Sequence, residues 1–354
     1  VNCRLNLIRA FRQAGWDVMT AAPTDDYVEV LRQEKIYFYP ISIQNMGTNP
    51  LEDLKLWFAY WKLLKRERPD ILLSFTVKPN IYGGLAARIL GIPYFPNVAG
   101  LGTAFIRTGW ITWIVKHLYR FALGGANTVF FQNSEDQSLF IQQGLVAPTK
   151  TKVLPGSGVD TKRFSPLQSS RSEEFTFLLP SRLLWDKGVG EFVEAAQIIK
   201  SEFSSVRFQL LGFLGTENRS AITEEQLQFW VESRIVDYLG ASDDVRPYFA
   251  AADCIVLPSY REGTPRSLLE AASMARPIIT TNVVGCREVV DQGYNGLLCR
   301  SKDAKDLASK MREIMQMNPQ ELLEMGVKGR EKMLRQFDET IVIERYMEVI
   351  RGVS

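Results

Sequence analysis

The chain predicts an α/β protein made of two doubly wound, Rossmann-like domains on parallel sheets. Short apolar runs alternate with amphipathic stretches of helical period along most of it, the mark of successive βαβ units. Its 354 residues suffice for two domains of ordinary size. The alternation restarts beyond residues 152–166 (KVLPGSGVDTKRFSP), a short strand followed by Gly156, Gly158 and a proline.

Residues 1–14 read as a helix, with Leu5, Ile8 and Phe11 among its apolar positions and Gly15 as its stop. A strand at 16–23, a helix at 27–34 and a strand at 36–43 follow. Helix 49–66, strand 70–75, helix 81–90 closed by Gly91, strand 92–98, a helix near 110–123 and a strand at 128–132 complete the first half. The second half reads as strand 175–180, turn 181–188 and helix 189–203, then strand 207–212, helix 223–235, strand 236–239 and helix 245–252. Strand 254–257 leads to a helix whose first position is Pro265, where a missing N–H costs nothing. Strand 277–281, a helix begun at 285–291 and an amphipathic helix at 338–350 end the chain. The expected domains are 1–163 and 164–337, with 338–354 as a helix returning to the first. A doubly wound sheet places its first strand centrally, yet no strand precedes the first helix. The sequence is therefore expected to lack a strand and its turn, roughly 10–20 residues, and the gap would expose unpaired backbone on both neighbours.

Hydrophobic content of 46% against 23% charged residues excludes a disordered chain. The net charge of +2 is uneven: residues up to Pro166 carry +7 and the remainder −5. The first half is thus the candidate face for an anionic partner. Nucleic acid is disfavoured, because no recognised binding motif accompanies the charge. Cys3, Cys254, Cys286 and Cys299 lack CxxC spacing, which suggests neither a zinc site nor a disulfide framework and fits a reducing cytosol. No apolar run approaches the roughly 18 residues of a membrane-spanning helix.

The candidate site centres on residues 260–274 (YREGTPRSLLEAASM). Glu262 falls in the turn after strand 254–257, and Glu270 just over one helical turn inside the next helix, with seven residues between. In parallel sheets, ligands bind at the carboxyl ends of strands, where such turns lie. Two glutamates near a helix start can also serve its dipole alone, for about 0.3–1 kcal/mol each. The turn SRLLWDKG at 181–188 supplies complementary charge in Arg182 and Lys187. A sugar nucleotide suits that set: its diphosphate pairs with cations, and its ribose and sugar hydroxyls donate to carboxylates. A solvated surface pair is the other reading of Arg182 and Lys187.

Together, SRLLWDKG and EGTPRSLLE resemble the donor-site signature of the retaining family 4 glycosyltransferases of GT-B architecture, whose mark is E-x7-E. The resemblance implies two Rossmann-like domains facing a cleft. It places Arg182 and Lys187 on the donor diphosphate, Glu262 at the transferring sugar and leaving phosphate, and Glu270 at the ribose hydroxyls. Backbone N–H groups of Gly263, Thr264 and, beyond Pro265, Arg266 would face the ligand from the helix start. It also implies same-face attack without a protein nucleophile, the leaving diphosphate helping to take the acceptor proton while the basic pair stabilises it. The substrate would be a nucleotide sugar, expected to be a UDP-sugar, with no metal or other cofactor. GVDTKRF resembles the stretch after the first domain, with Gly158 and Asp160 on the cleft floor; an ordinary turn is the alternative.

TVKPNIYGG at 76–84 and NVAGLGTAF at 97–105 resemble a bacterial subgroup that elongates sugars on polyprenyl diphosphate carriers, for surface polysaccharide such as O-antigen or capsule, or for protein glycosylation. Lys78 would meet the carrier diphosphate, while Gly100 and Gly102 would let the backbone approach a sugar; simple turns are an equal reading. Leu54, Trp57, Phe58, Trp61 and Leu64 share one helical stripe, with Lys55, Lys62 and Arg66 on another. Trp110, Ile111, Trp113, Ile114, Leu118 and Phe121 form a wide apolar arc that leaves Thr112, Lys116 and Arg120 polar. Core packing is the usual use of such faces, but the same composition suits a helix lying in a membrane interface. Peripheral docking on the inner face of the cytoplasmic membrane is therefore a partner reading, since a polyprenyl acceptor is membrane-held. His117 reads as structural, and no histidine stands at the strand-end loop where many relatives place one. Asp25, Asp26, Asp243 and Asp244 read as solvated groups and not as metal ligands. The alternatives are a family member acting on a soluble or lipid A-core acceptor, and an inactive nucleotide-sugar-binding protein.

Overall fold

The structure, a computed structural model, describes residues 4–43, 49–100, 110–168, 174–215, 218 and 220–352. It divides into two units, Val1–Ser157 with Thr340–Ser354, and Gly158–Glu339. The division precedes the 163/164 boundary read from the sequence because residues 158–160 are tied into the second unit. Val159 N–H donates to Phe337 O at 2.9 Å, and Glu339 N–H to Val159 O at 3.0 Å. Gly158, at φ +71, passes so close to Glu339 that a Cβ would lie 2.6 Å from its Cα. Asp160 caps a local turn, accepting from Lys162 N–H and Arg163 N–H at 3.1 and 2.9 Å.

The first unit runs α1 (Leu5–Gln13), β1 (Met19–Ala22), α2 (Val28–Gln33), β2 (Tyr37–Pro40), α3 (Pro50–Glu67) and β3 (Leu72–Phe75). A π-helical turn, Pro79–Gly83, leads into α4 (Gly84–Leu90), followed by β4 (Tyr94–Val98), α5 (Trp110–Gly124), β5 (Val129–Phe131), α6 (Ser134–Gln142) and β6 (Thr151–Val153). The strands form a parallel pair β1-β2 and a parallel sheet β3-β4-β5-β6. Among the described residues, β1 and β3 each pair along one edge only.

Strand side chains alternate between faces, and here both faces are covered. Tyr94, Val98, Val129 and Phe131 pack with Leu56, Tyr60, Ala87, Tyr119 and Phe140 of α3–α6. Phe95 and Phe130 point the other way, onto Leu7 and Phe11 of α1 and onto Val342, Tyr346 and Ile350 of α13 (Glu339–Arg351). Burial on both sides is why these strands read as continuous apolar runs. Helix α6 escaped the sequence reading because SEDQSLFIQ buries little beyond Asp136 and Phe140, although Asn133 caps it at 2.7 Å from Asp136 N.

The apolar stripe of α3 proves to be divided. Leu64 is buried and Trp57 and Trp61 pack against the core, whereas Leu54 and Phe58 are exposed. On α5, Leu118 packs inward while Trp113, Ile114 and Phe121 face outward. The side chains of Trp110, Ile111 and Thr112, like Cys3 and Gly102, lie outside the described residues. None of the described helices is long and apolar enough to cross a membrane.

The second unit holds β7 (Phe175–Pro180), α7 (Val189–Glu202), β8 (Val206–Leu211), α8 (Glu224–Glu232), β9 (Asp237–Tyr238), α9 (Arg246–Ala251), β10 (Cys254–Leu257), α10 (Arg266–Ser273) and β11 (Ile278–Thr281). Beyond these come β12 (Gly296–Cys299), α11 (Ala304–Gln316), α12 (Pro319–Lys332) and a π-helical turn Met333–Phe337, in a stretch to which the sequence reading assigned nothing. Their caps are nonetheless legible: Asp303 accepts from Asp306 N, and Asn318 with Glu321 forms a capping box. The expected helix from Gly285 is replaced by turns, since Gly285 sits at φ +86 and a Cβ there would lie 2.5 Å from Glu262 O. All strands are parallel in the order β12-β11-β10-β7-β8-β9. The order reverses between β7 and β10, and a ligand crevice belongs at such a switch point.

Tyr346 is fully buried against Phe130, with ring centroids 4.6 Å apart, and bonds to the Asn97 side chain. Tyr346→Ala should therefore lower the stability of the first unit by about 3–5 kcal/mol. Hydrogen exchange in urea is the check, with amides of β4 and β5 losing protection first.

Candidate active site

The turns that follow β7 and β10 are sewn together, and one glycine permits it. Gly188, at φ +74, ends the 3-10 turn Trp185–Lys187, and a Cβ there would lie 2.1 Å from the Pro258 carbonyl oxygen. Across this contact Tyr260 N–H and Ser259 Oγ donate to Asp186 O at 3.0 and 3.1 Å. The Tyr260 hydroxyl donates to Glu191 Oε1 at 2.6 Å. Buried Leu183 and Leu184 anchor the first turn, and the wholly buried β10 anchors the second.

Lys187 and Glu262 consequently meet as an ion pair, with side chains only 19% and 13% exposed. The Ser259 hydroxyl, whose single proton is shared between Asp186 O and the same Glu262 Oε1, lies 2.8 Å from that carboxylate oxygen, and Glu262 N–H donates to Val284 O at 3.1 Å. Glu270 lies one turn into α10, where Arg266 Nε donates to its Oε1 at 2.7 Å. Burial pushes the Glu270 carboxyl above its ordinary value, against the opposing pull of Arg266 and Arg163. Gly263 and Thr264 are buried, with Thr264 Oγ1 donating to Gly263 O at 2.9 Å. Pro265 is the N-cap and not the first helical residue: its ψ of 116° is extended, and its carbonyl accepts from Leu268 N–H at 3.1 Å. The proline φ suits either position, so the sequence could not separate them.

Arg182 shares the carboxyl end of the sheet but is exposed, and its guanidinium pairs with none of the other candidates. In the first unit, Lys78 Nζ is 2.8 Å from Asp53 Oδ1, and Gly100 adopts φ +132. His117 is exposed on α5, its Nδ1 2.8 Å from Trp113 O. Asp244 is held by a two-pronged bond to Arg246, which lowers its carboxyl to about 2. Asp25 accepts from Tyr27 N–H. Among the described residues, no group of three His, Cys, Asp or Glu stands together to hold a metal ion. Sequence reasoning missed Ser259, Asp186 and Glu191, whose only signal was their place beside the motifs, and Arg163, whose approach to Glu270 is tertiary.

A family model described as glycosyl transferases group 1 matches residues 174–317, and one described as glycosyl transferase 4-like matches residues 3–133. The N,N'-diacetylbacillosaminyl-diphospho-undecaprenol alpha-1,3-N-acetylgalactosaminyltransferase of Campylobacter jejuni is 31% identical, over 98% of this chain and 94% of its own. The chain belongs to glycosyltransferase family 4. This glycosyltransferase is also 27% identical to the UDP-Gal:alpha-D-GlcNAc-diphosphoundecaprenol alpha-1,3-galactosyltransferase of Escherichia coli, over 80% of this chain and 75% of that one. Among solved structures, Anabaena HepE in complex with UDP matches with a TM-score of 0.79 and 19% identity, over 99% of this chain and 95% of that one. Sucrose-phosphate synthase of Thermosynechococcus elongatus matches with a TM-score of 0.82 and 18% identity, over 98% and 92%. These likenesses show the GT-B fold.

Folding raises the Glu270 carboxyl above 4.5, so the folded glycosyltransferase holds that proton more tightly than the unfolded chain does. The associated stability is fully present below pH 4.5 and declines as pH rises through the folded value. The thermal midpoint of the parent should fall as pH rises above 4.5, and Glu270→Gln, which has no proton to lose, should flatten that fall.

Proposed function

We propose that this glycosyltransferase moves a hexose or N-acetylhexosamine from a UDP-sugar, with retention, onto a saccharide carried on polyprenyl diphosphate, in surface polysaccharide or glycan assembly. The observation that carries the reading is the Lys187–Glu262 pair at the β7/β10 switch point, with the unpaired Arg182 on the same rim. A diphosphate entering there takes Arg182 and shares Lys187 with Glu262, so negative charge developing on the leaving group meets cations already in place. Glu262, steadied by Ser259, then turns toward the sugar hydroxyls. Glu270, fixed by Arg266, accepts from the ribose. Gly263, Thr264 and Arg266 lie at the start of α10, the helix end toward which anionic ligands bind. The two cations supply the countercharge, so no metal is required. For the donor, support comes from HepE, whose structure holds UDP. For the acceptor, it comes from two relatives named for undecaprenyl-diphosphate-linked sugars.

The test is transfer from UDP-Gal, UDP-Glc, UDP-GalNAc and UDP-GlcNAc to undecaprenyl-diphosphate-linked N-acetylglucosamine and N,N'-diacetylbacillosamine. Lys187→Ala should reduce kcat by about 10²–10³-fold, the scale of losing one transition-state donor. Arg182→Ala and Glu270→Ala should weaken UDP binding in calorimetry; unchanged binding in both would place the donor elsewhere.

A lipid-borne acceptor calls for work at the membrane surface, at its cytoplasmic face. Leu51, Leu54 and Phe58 on α3, and Trp113 and Phe121 on α5, are each more than half exposed. They lie on helices that also carry Lys55, Lys62, Lys116 and Arg120, in the half of the chain with surplus positive charge. Apolar side chains beside cations suit an anionic bilayer. Sedimentation with phosphatidylglycerol vesicles should be strong at low salt and should drop several-fold in a Phe58→Ser, Trp113→Ser double variant. Sedimentation indifferent to both changes would count against docking through these helices.

A further inference from the structure

The backbone is distorted in two ways at the carboxyl end of β3. Thr76 adopts φ +70, in the left-handed region where a β-branched residue is an outlier. Three residues later the chain enters the π-helical turn Pro79–Gly83. Strained residues and π-turns both concentrate at functional sites. A buried polar network holds the distortion. Ser74 Oγ donates to Asn80 Oδ1 at 2.8 Å, and Asn80 Nδ2 donates to Asn97 O at 2.8 Å, at the end of β4. Asn97 is fully buried, bonds to Tyr346 through its amide nitrogen, and keeps Oδ1 without a partner.

The result is a fixed place for Lys78. Its ammonium lies 2.8 Å from Asp53 Oδ1 on α3, with both side chains less than one-fifth exposed. The Tyr82 hydroxyl bonds to the same carboxylate; with burial the larger cause, this raises the phenol above its ordinary value. Joining α3 to the strand end does not need this cluster, because Leu56, Tyr60 and Ile81 already do so by apolar packing.

We propose that Asp53, Lys78 and Tyr82 form the sugar-reading part of the acceptor site, receiving the hydroxyl and N-acetyl groups of the acceptor's terminal sugar and not its diphosphate. The inference rests on the lipid-linked saccharide reading above. Charge decides between the two groups. A diphosphate reaching Lys78 meets the Asp53 carboxylate at hydrogen-bond range of the same ammonium, and among the described residues the cluster has no second cation of the kind Arg182 provides beside the Lys187–Glu262 pair, so attraction and repulsion offset. A sugar hydroxyl instead donates to the carboxylate and accepts from the lysine. A carboxylate has about four acceptor positions and an ammonium three donors, so both keep capacity after bonding each other and Tyr82. The backbone strain sets the height of Lys78 above the strand end, and with it which hydroxyl is reached.

The test is steady-state kinetics at saturating donor with undecaprenyl-diphosphate-linked N-acetylglucosamine and with the N,N'-diacetylbacillosamine counterpart, plus inhibition by inorganic pyrophosphate. Asp53→Asn, Lys78→Met and Tyr82→Phe should each raise acceptor KM by about tenfold, the loss of one hydrogen bond to a charged group. They should also change the ratio of kcat/KM between the two sugars, and leave UDP affinity and pyrophosphate inhibition as in the parent. Loss of a fixed brace alone would not move that ratio. An Asp53→Asn chain that fails to fold is replaced by Tyr82→Phe, which removes one oxygen. A rise in KM for Lys78→Met with no rise, or a fall, for Asp53→Asn would overturn the proposal and give the lysine to the diphosphate. Parent enzyme that uses a soluble saccharide but neither lipid-linked acceptor would overturn the acceptor reading itself.

Discussion

The second unit depends on the close approach of Gly188 to Pro258. Any side chain at 188 would put its Cβ 2.1 Å from a carbonyl oxygen, at a backbone angle that side chains avoid. With hydrogen alone in that space, the turns after β7 and β10 close together and the bonds from Ser259 and Tyr260 to Asp186 can form. The Lys187–Glu262 pair then follows. Removing two ions from water costs several kcal/mol each unless they are paired and further bonded, and Ser259 supplies part of that further bonding. Placing such a pair where the strand order reverses puts it where helices on opposite faces diverge and leave room for a ligand.

The first unit reaches its special geometry by a different route. No glycine contact sets Lys78; a strained threonine, a π-turn and buried asparagines do. Buried amides are costly when left unmatched, so Asn80 and Asn97 resist movement and transmit their position to the turn above them. Helix α13 closes the same network from the other face of the sheet through Tyr346. The result is a lysine paired with Asp53 where the sequence suggested an available one.

Much of this was legible in residue order. Doubly buried strands must be apolar throughout, so Cys254–Leu257 and Phe175–Pro180 stood out as strands, and the charged turns following them were visible as a candidate site. The family resemblance rested on those same turns, and the matching family models confirm it. Helices with mixed faces, such as α6, were lost because their burial depends on what packs above them and not on their own period.

By itself the sequence determined the α/β class, the family, and which turns carry charge, because periodicity and motif spacing are local properties. Only the tertiary structure decided which charge meets which. Lys187 is 75 positions from Glu262, and Lys78 is 25 from Asp53; no local rule relates residues so far apart. The first pairing follows from strand order and from where a glycine lets two backbones touch, the second from the strained turn after β3.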